Sequence, residues 1–374
     1  MVRAWGKAVA AVSLCLCGAA SAVAQDGPGN GWGQCRAVPV QDEDERPVVG
    51  IEDMVLDRAG ERLILSAYNR RAVEAARARG VQPPRGGLFT LALDALDADL
   101  LTAARLPVTG DGGFAWFPHG IGISETGGSR RLLVVNRVFD GEGDGQADGA
   151  DADLLVLDLD DAGAAVMRRI QSGKLCRAND AEFAGGDTAL VTVDHAACPL
   201  FDAWMERIFS RPRSGVLRVD LDTGTIDRVL DGIAYANGIE VDPVRGEVHV
   251  AASRGHEVIT WSLAEVLAGE AKPLRRVTVP GGPDNLVLDE DGSLFTAAHP
   301  NLFALFLHML DMRGIPGSTV VGILPDGTAR TLLGADDALP GAATTALRAG
   351  DRLVVSSAWD KRIGICTRIG GAEE

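Results

Sequence analysis

Residues 235 to 253 read "YANGIEVDPVRGEVHVAAS". An Asn-Gly pair opens a short alternating run, a Pro and a Gly mark a turn, and a β-branched run follows. Two alternating apolar runs around a turn are typical of a β-hairpin. An amide side chain thus stands at the start of a strand, where its role needs an explanation.

The same hairpin pattern occurs six times along the chain. Its copies begin at residues 50, 118, 178, 236, 283 and 343, and they align on Asp53, Gly120, Asp180, Gly238, Asn285 and Ala346. A spacing of about 50 to 70 residues holds four short strands with loops, which is one propeller blade. The sequence therefore predicts an all-β fold, a six-bladed β-propeller with short accessory helices over the channel mouth. A pair of β-sandwiches, the alternative, does not explain the shared start of each hairpin.

The amino terminus has the layout of a secretory signal peptide. Arg3 and Lys7 precede an apolar run that ends at the small residues 22–24. We expect residues 1–24 to be removed and residues 25–374 to form a single propeller domain, secreted or periplasmic. An uncleaved membrane anchor is the alternative for this segment.

The net charge of the chain is −16, from 52 acidic and 36 basic residues. Nucleic acid needs a basic footprint, so we expect no nucleic-acid partner. An acidic surface is compatible with cation binding.

Four of the six cysteines lie beyond the predicted signal peptide. An even number in an exported chain predicts disulfides, and four cysteines allow three pairings. A bridge between Cys35 and Cys366 would tie the two ends of the propeller together. Cys176 and Cys198 flank one predicted hairpin and form a second candidate pair.

In a propeller the first strand of each blade lines the central channel, so the residues at the starts of these strands converge at one mouth. They are Glu52, Asp53, His119, Asn179, Asp180, Asn237, Asp284 and Asn285. Crowded carboxylates repel one another unless a cation lies between them, and Ca²⁺ prefers carboxylate and amide oxygens. Asn and Asp are also common at strand starts for local backbone reasons. Taken together, the set favours a metal site in which Asn237 supplies a neutral oxygen.

With these residues in place, the chain resembles the paraoxonase/arylesterase family, which is related to gluconolactonase-like propellers. The resemblance extends from about Cys35 to Cys366 and depends on the order of short motifs. These are "EDM" at 52, "HGI" at 119, "VVN" at 134, "ND" at 179, "DH" at 194, "ANGI" at 236, "DN" at 284, "HPN" at 299 and "GIC" at 364.

The resemblance implies a six-bladed propeller with two calcium ions in its channel. By position, the catalytic ion would be held by Glu52, Asn179, Asn237, Asp284 and Asn285. The structural ion would be held by Asp53, Asp180 and the backbone carbonyl of Ile121. The resemblance also supports the disulfide between Cys35 and Cys366.

The chemistry implied by the resemblance is hydrolysis of a small-molecule lactone or ester, with calcium polarising the carbonyl and a His helping to activate water. His119 matches the family's principal catalytic His. The chain departs from the family at Arg137, where a second His is usual, because an Arg cannot act as a base near neutral pH. Arg137 instead suits contact with a substrate carboxylate or phosphate.

Two other functions remain open at this point. One is a ligand- or protein-binding propeller in which calcium is purely structural, a reading that Arg137 allows. The other is a sugar-lactone hydrolase of the gluconolactonase type, with another divalent metal at the same ring of residues.

Several further segments lie near the predicted site. Residues 200–209 have an apolar stripe of helical period that predicts a helix. We expect this helix either to pack onto the propeller or to cover the site, where Trp204 would contact the substrate or the apolar face would contact lipid. The apolar residues 301–310 join that surface. His195 and His299 are expected to be structural or supporting residues. The acidic residues 140–153 are expected to form a solvated loop with no assigned ligands.

Overall fold

The computed structural model describes residues 31–139, 151–196, 198, 212–334 and 338–368. The predicted signal peptide, most of the acidic loop and the predicted helix with Trp204 lie outside these residues. The described chain folds into six blades of four principal antiparallel strands each, and the first and last blades join in one nine-stranded sheet. The predicted all-β propeller is confirmed, and the pair of sandwiches is excluded.

The first three blades use the strands from the start of the chain to Ile233. Blade 1 follows β1 (Trp32–Gln41) and contains β2 (Ile51–Asp57), β3 (Arg62–Ala67), β4 (Gly87–Ala92) and β6 (Ala104–Arg105). Two short strands pair in parallel with other blades: β5 (Leu101–Thr102) with β1 of blade 6, and β7 (Val108–Thr109) with the outer strand of blade 2. Blade 2 contains β8 (Pro118–Thr126), β9 (Ser129–Arg137), β10 (Ala152–Leu159) and β11 (Ala164–Gln171). Blade 3 contains β12 (Ala178–Phe183), β13 (Thr188–Val193), β14 (Ser214–Asp220) and β15 (Ile226–Ile233).

The last three blades complete the ring. Blade 4 contains β16 (Ala236–Asp242), β17 (Glu247–Ala252), β18 (Glu257–Ser262) and β19 (Pro273–Thr278). Blade 5 contains β20 (Gly282–Leu288), β21 (Leu294–His299), β22 (Thr319–Ile323) and β23 (Ala329–Leu333). Blade 6 contains β24 (Ala343–Ala349), β25 (Arg352–Ser357), β26 (Arg362–Arg368) and, as its outermost principal strand, β1.

Blade 6 closes the ring because it combines the two ends of the chain. Strand β1 pairs antiparallel with β26, and the Cα atoms of Cys35 and Cys366 are register partners. These two cysteines form a disulfide across 331 residues. The predicted bridge is therefore confirmed, and it fixes the first strand of the described chain to the last.

The hydrophobic core lies between blades, because alternate side chains of a strand face opposite sides of its sheet. In β3, Leu63 and Leu65 pack in a cluster shared with blade 6. Ile64, between them, packs in a cluster shared with blade 2. Each neighbouring pair of blades shares one such cluster among the described residues. The channel itself is left to polar side chains.

In the part of the chain that the structure describes, three short α-helices accompany the strands: α1 (Arg70–Ala78), α2 (Leu263–Ala268) and α3 (Leu302–Met309). Two 3₁₀ turns lie at Leu93–Asp97 and Gly173–Leu175. The side chains of Asn69 and Asn301 cap α1 and α3 by accepting backbone hydrogens from Ala72 and Ala304. Helix α3 lies within the apolar residues 301–310. None of the helices in the described ranges has the length and apolar character to cross a membrane.

Candidate active site in the channel mouth

The innermost strand of every blade carries a β-bulge at the same place. Its ladder pairing with the second strand shifts register over two adjacent residues. The pairs are Glu52–Asp53, His119–Gly120, Asn179–Asp180, Asn237–Gly238, Asp284–Asn285 and Thr344–Thr345. A bulge removes residues from the ladder and re-aims their side chains. The first residue of each pair lines a single cavity of about 300 Å³.

The sixth pair corrects the alignment of the sixth copy of the hairpin repeat. The bulge between Ala343 and Ala346 places Thr345, and not Ala346, in the position of Asp53 and Asn285. The Thr345 hydroxyl donates to Asp53 Oδ1 at 2.8 Å, and the Thr344 hydroxyl donates to the carbonyl of Glu52 at 2.6 Å. The repeat was aligned one residue late because "ATTA" lacks the acids and amides of the other copies.

Four buried side-chain oxygen atoms of the bulge residues accept no hydrogen bond; three belong to residues that line the cavity, and the fourth belongs to Asn285, which contacts Glu52. They are Glu52 Oε2, Asn179 Oδ1, Asn237 Oδ1 and Asn285 Oδ1. A buried acceptor without a donor costs about 1–3 kcal/mol, so natural structures contain few of them. All four belong to the set predicted to hold the catalytic calcium.

The amide nitrogens of this set are held by protein partners. Asn237 Nδ2 donates to Ser253 Oγ at 3.1 Å and to Asp284 Oδ1. Asn285 Nδ2 donates to the Glu52 carbonyl at 3.1 Å and to Thr345 Oγ1 at 3.0 Å. These two amides are therefore oriented with their oxygens left for another partner. The donor set, one carboxylate with several neutral oxygens, suits a hard cation such as Ca²⁺.

Asp284 is the fifth predicted ligand, and His299 positions it. The imidazole Nε2 lies 2.7 Å from Asp284 Oδ2, and since a carboxylate only accepts, Nε2 carries the hydrogen. His299 thus takes the supporting role expected from the sequence. Within the described residues, no three His, Cys, Asp or Glu side chains form a metal cluster. Any cation here would depend on the asparagine oxygens.

His119 lies at the same cavity and is buried. Its Nδ1 is 3.2 Å from Glu52 Oε2 and 3.1 Å from Arg70 Nη2. A guanidinium only donates, so Nδ1 accepts from Arg70 and has no hydrogen to give to Glu52. Burial lowers the pKa of His119 well below its usual value, and the charges of Arg137 and Arg70 lower this pKa further. The imidazole is therefore neutral near neutral pH.

Arg137 occupies the neighbouring position, where the family usually has a second His. Its guanidinium lies 4.0 Å from Asp194 Oδ2, and Asp194 Oδ1 lies 2.5 Å from His195 Nδ1. Burial opposes ionisation of Asp194, but the interactions with His195 and Arg137 outweigh it and hold the pKa of Asp194 well below its usual range. His195 thus supports a carboxylate and does not line the cavity.

The residues predicted for the structural calcium have a different environment. Asp53 accepts from Met54 N, Thr345 Oγ1 and Ile121 N, and Asp180 accepts from Ala181 N and Ile239 N. Each of their carboxylate oxygens thus already has a donor. Burial and the charge of Glu52 raise the pKa of Asp53 to about 8, and burial and Asp53 raise that of Asp180 well above its usual value.

Aromatic and apolar side chains form the walls of the cavity. They are Tyr68, Phe139, Leu302, Leu305, Phe306, Met309 and Trp359. Four of the seven lie on one face of α3, so residues 301–310 do border the site. Trp204, the other predicted apolar contact, lies outside the described residues.

Sequence reasoning missed several polar residues of the cavity. Arg70 enters from α1, outside the repeats. Arg177 and Tyr235 each precede a cavity asparagine by two residues, and both have a left-handed backbone, with φ of 63° and 66°. Left-handed non-glycine residues are uncommon and gather at functional sites. The shared offset in "RAN" and "YAN" was the signal that could have identified them.

The second candidate disulfide is also present. Cys176 and Cys198 are bonded, which leaves both predicted pairs formed. Two disulfides are typical of a protein from an oxidising compartment.

Comparison with known proteins gives the same fold and a family. A crystal structure described as that of a candidate gluconolactonase aligns over 90% of this chain and 92% of its own, with a TM-score of 0.53 and 15% identity. A luciferin-regenerating enzyme aligns at 16% identity and a TM-score of 0.47, over 89% of this chain and 96% of its own. A gluconolactonase from Xanthomonas campestris aligns at 16% identity and a TM-score of 0.45, over 90% of this chain and 98% of its own. At these identities the likeness concerns the fold.

A search of curated proteins found no match to the sequence. The arylesterase family model, in contrast, matches residues 86–363, which include five of the six bulges described above in full. The chain therefore belongs to the arylesterase family, whose paraoxonase-like members are hydrolases of esters and lactones.

Proposed function

We propose that this protein is a calcium-dependent hydrolase of lactones or of aryl and carboxylic esters. The main support for the proposal is the group of four buried oxygens without a donor, three of which belong to residues that line the cavity. The surrounding amide nitrogens are fixed by protein contacts, so the oxygens are held in place for a cation. Glu52, Asn179, Asn237, Asp284 and Asn285 would bind it.

When bound, calcium supplies a positive charge that polarises the substrate carbonyl and stabilises the oxyanion. The residues of the chain prepare the site for this charge. His299 holds Asp284 in orientation, and the threonine hydroxyls of blade 6 bond the carbonyl of Glu52. The apolar walls exclude bulk water, which strengthens electrostatic interactions inside the cavity.

His119 is proposed to accept the proton of the attacking water. Because Nε2 of the neutral imidazole carries the hydrogen, the proton must be taken at Nδ1. That atom accepts from Arg70 in the present geometry. Proton transfer to His119 therefore requires that the Arg70 guanidinium move off Nδ1, which makes Arg70 a positioning residue for the base.

A second, structural calcium is proposed at Asp53, Asp180 and the carbonyl of Ile121. Two buried carboxylates with raised pKa values gain most from a cation, because it allows both to ionise. We also propose, from the predicted signal peptide and the two disulfides, that the protein acts in the periplasm or is secreted.

The test of this function is hydrolysis of γ- and δ-lactones and phenyl esters by the purified mature protein. Turnover should be lost in chelator and restored by calcium. Asn237→Ala should reduce turnover by on the order of 100-fold or more, because it removes a metal ligand that also orients Asp284. Asp99→Ala, which removes an exposed side chain that does not line the cavity, is the control. Turnover that persists in excess chelator would contradict the proposal.

Two alternative functions remain, each tied to an observation. Arg137 in place of a second His favours a binding propeller with structural calcium, which would show calcium-dependent stability without turnover. The likeness to a candidate gluconolactonase favours a sugar-lactone hydrolase with another divalent metal. Restoration of turnover by Zn²⁺ or Mn²⁺ in preference to Ca²⁺ would select this second alternative.

A further inference from the structure

The cavity above the proposed calcium site is rich in arginine. Arg70, Arg77, Arg137, Arg177 and Arg254 all line it, although the chain as a whole carries a net charge of −16. Arg70 and Arg77 come from α1, and the other three come from loops and strand ends of blades 2 to 4. Positive side chains concentrated in one cleft of an acidic protein focus the local potential and attract an anionic ligand.

Most of these arginines are held in place by aromatic rings or backbone. The Arg70 guanidinium lies 4.5 Å from the Tyr68 ring centroid, and that of Arg77 lies 5.5 Å from the Phe139 ring. Arg177 Nη2 donates to the carbonyl of Cys198 at 3.3 Å. These contacts hold the arginine side chains in place at the cavity.

Arg137 differs from the others. Its exposed fraction is 7%, and its side chain forms no hydrogen bond to any of the residues that the structure describes. The nearest opposite charge, Asp194 Oδ2, is 4.0 Å away. A buried guanidinium ordinarily has close, hydrogen-bonded anionic partners, because the cost of removing it from water is several kcal/mol. This one is aimed into a cavity with its donors available to a ligand.

The acidic residues of the cavity do not give Arg137 a hydrogen-bonded partner. Asp194 is committed through Oδ1 to His195, and Asp284 is committed to His299 and Asn237. Glu74 pairs with Arg71 at 3.1 Å, and Glu52 belongs to the proposed metal set. A bound calcium would add further positive charge. The cavity therefore has an excess of positive charge beside the position of the reacting carbonyl.

We propose that the substrate is an anionic lactone or ester, and that the guanidinium of Arg137 binds its carboxylate by paired hydrogen bonds. This inference rests on the proposed hydrolase function and names its substrate class. The carboxylate would anchor the molecule while water adds to the acyl carbon of the ring. The acyl C–O bond then breaks, a proton of the water passes to the alkoxide oxygen, and a hydroxy-dicarboxylate is the product.

The kinetic test compares 5-oxotetrahydrofuran-2-carboxylate with its uncharged methyl ester. In the calcium-loaded wild type, kcat/KM for ring opening should be at least 10-fold higher for the carboxylate, and this ratio should fall as NaCl rises from 20 to 500 mM. Arg137→Gln should lower the ratio about 10-fold or more, and Arg137→Lys should restore part of it. Arg330→Gln, an exposed arginine on the outer strand of blade 5, removes the same charge and should leave the ratio unchanged. A salt-independent ratio near one in the wild type would overturn the proposal.

A binding test separates this inference from the hydrolase function. Cyclopentanecarboxylate has the same ring size and charge as the lactone carboxylate but no bond to hydrolyse. Cyclopentanecarboxamide is its neutral counterpart. Calorimetric titration should show that the carboxylate binds the calcium-loaded wild type at least 10-fold more tightly than Arg137→Gln, and that the amide does not distinguish them. If lactones are not turned over but this difference is found, the hydrolase function fails and the anion subsite stands. Equal carboxylate binding to both proteins would contradict the subsite, whatever the turnover.

Discussion

At the scale of single residues, the site is defined by hydrogen bonds that are not made. Asn179, Asn237 and Asn285 direct their oxygens, and Glu52 one of its own, toward a region that supplies no donor. In a purely structural channel these side chains would pair with one another. The arrangement is understandable if a cation completes it.

The sequence identified most of this residue-scale arrangement. The predicted Glu52, His119, Asn179, Asn237 and Asp284 line one cavity, and Asn285 contacts Glu52. Their ligation of calcium stays a prediction. The cavity arginines were not found as a group, because they follow no common motif and are brought together only by the ring.

The first prediction concerns His119. Replacing it with Gln removes the proposed proton acceptor while leaving the oxygen ligands, so kcat for a lactone should fall by about 100-fold or more. Calcium should still raise the melting temperature of the variant. His256→Gln, at an exposed turn, serves as the control. An unchanged kcat in His119→Gln would assign the proton transfer to another group.

At the scale of elements, the repeated bulge is what converts strand starts into a site. Short apolar and β-branched runs between turn residues predicted the strands, because each blade buries both faces of its sheet against its neighbours. The bulge could not be read from the sequence, since it depends on how two adjacent strands are paired. This is why the repeat at Thr345 was misaligned by one residue.

Glycine is required where two bulges approach each other. A Cβ on Gly238 would lie 2.5 Å from Asn285 Cα and 2.7 Å from the carbonyl oxygen of Asp284. Both contacts are with the backbone of the next blade, which cannot move cheaply. We predict that Gly238→Ala lowers the free energy of unfolding by on the order of 2–3 kcal/mol. Urea denaturation measures this, with Gly314→Ala, where a Cβ meets nothing within 4 Å, as the control. Equal stability of the two variants would show that the blades separate easily.

A pH prediction follows from Glu240, which joins two blades. Its Oε2 accepts from Leu288 N at 3.0 Å. Burial raises its pKa to about 7. The folded state therefore holds a proton that the unfolded state has lost, and the free energy of unfolding falls as pH rises from about 4.5 to about 7.

The Glu240→Gln variant should lose part of this pH dependence. At fixed calcium, the difference in the free energy of unfolding between pH 5 and pH 7.5 should be smaller than in the wild type by on the order of 1 kcal/mol. Glu290→Gln, an exposed glutamate, is the control. A variant whose pH dependence matches that of the wild type would show that Glu240 is ionised throughout this range.

At the scale of the whole molecule, the ring is closed by β1 and by the disulfide of Cys35 with Cys366. Blade count and closure were predictable, because the repeat number and the terminal cysteines are visible in the sequence. The excess of positive charge in the cavity was not predictable, because the chain as a whole is negatively charged.

Removing the closing disulfide should cost more stability than removing the local one. The chain-entropy account gives upper values of about 6 kcal/mol for the Cys35–Cys366 bridge and about 3 kcal/mol for Cys176–Cys198. Paired Cys→Ser variants compared by thermal unfolding, at saturating calcium, measure both. A larger loss from the Cys176–Cys198 pair would mean that the hydrogen bonds of β1 with β26 close the ring unaided.

The central claim is that the unpartnered oxygens form a calcium site, and calorimetric titration of chelator-treated protein with CaCl₂ tests it most directly. We expect saturable binding in the wild type and in Asp99→Asn, which removes only an exposed carboxylate. Asn179→Ala and Asn237→Ala should each weaken one binding event by at least 10-fold, with folding preserved in the circular dichroism spectrum. Equal calcium binding by the wild type and both asparagine variants would contradict the account.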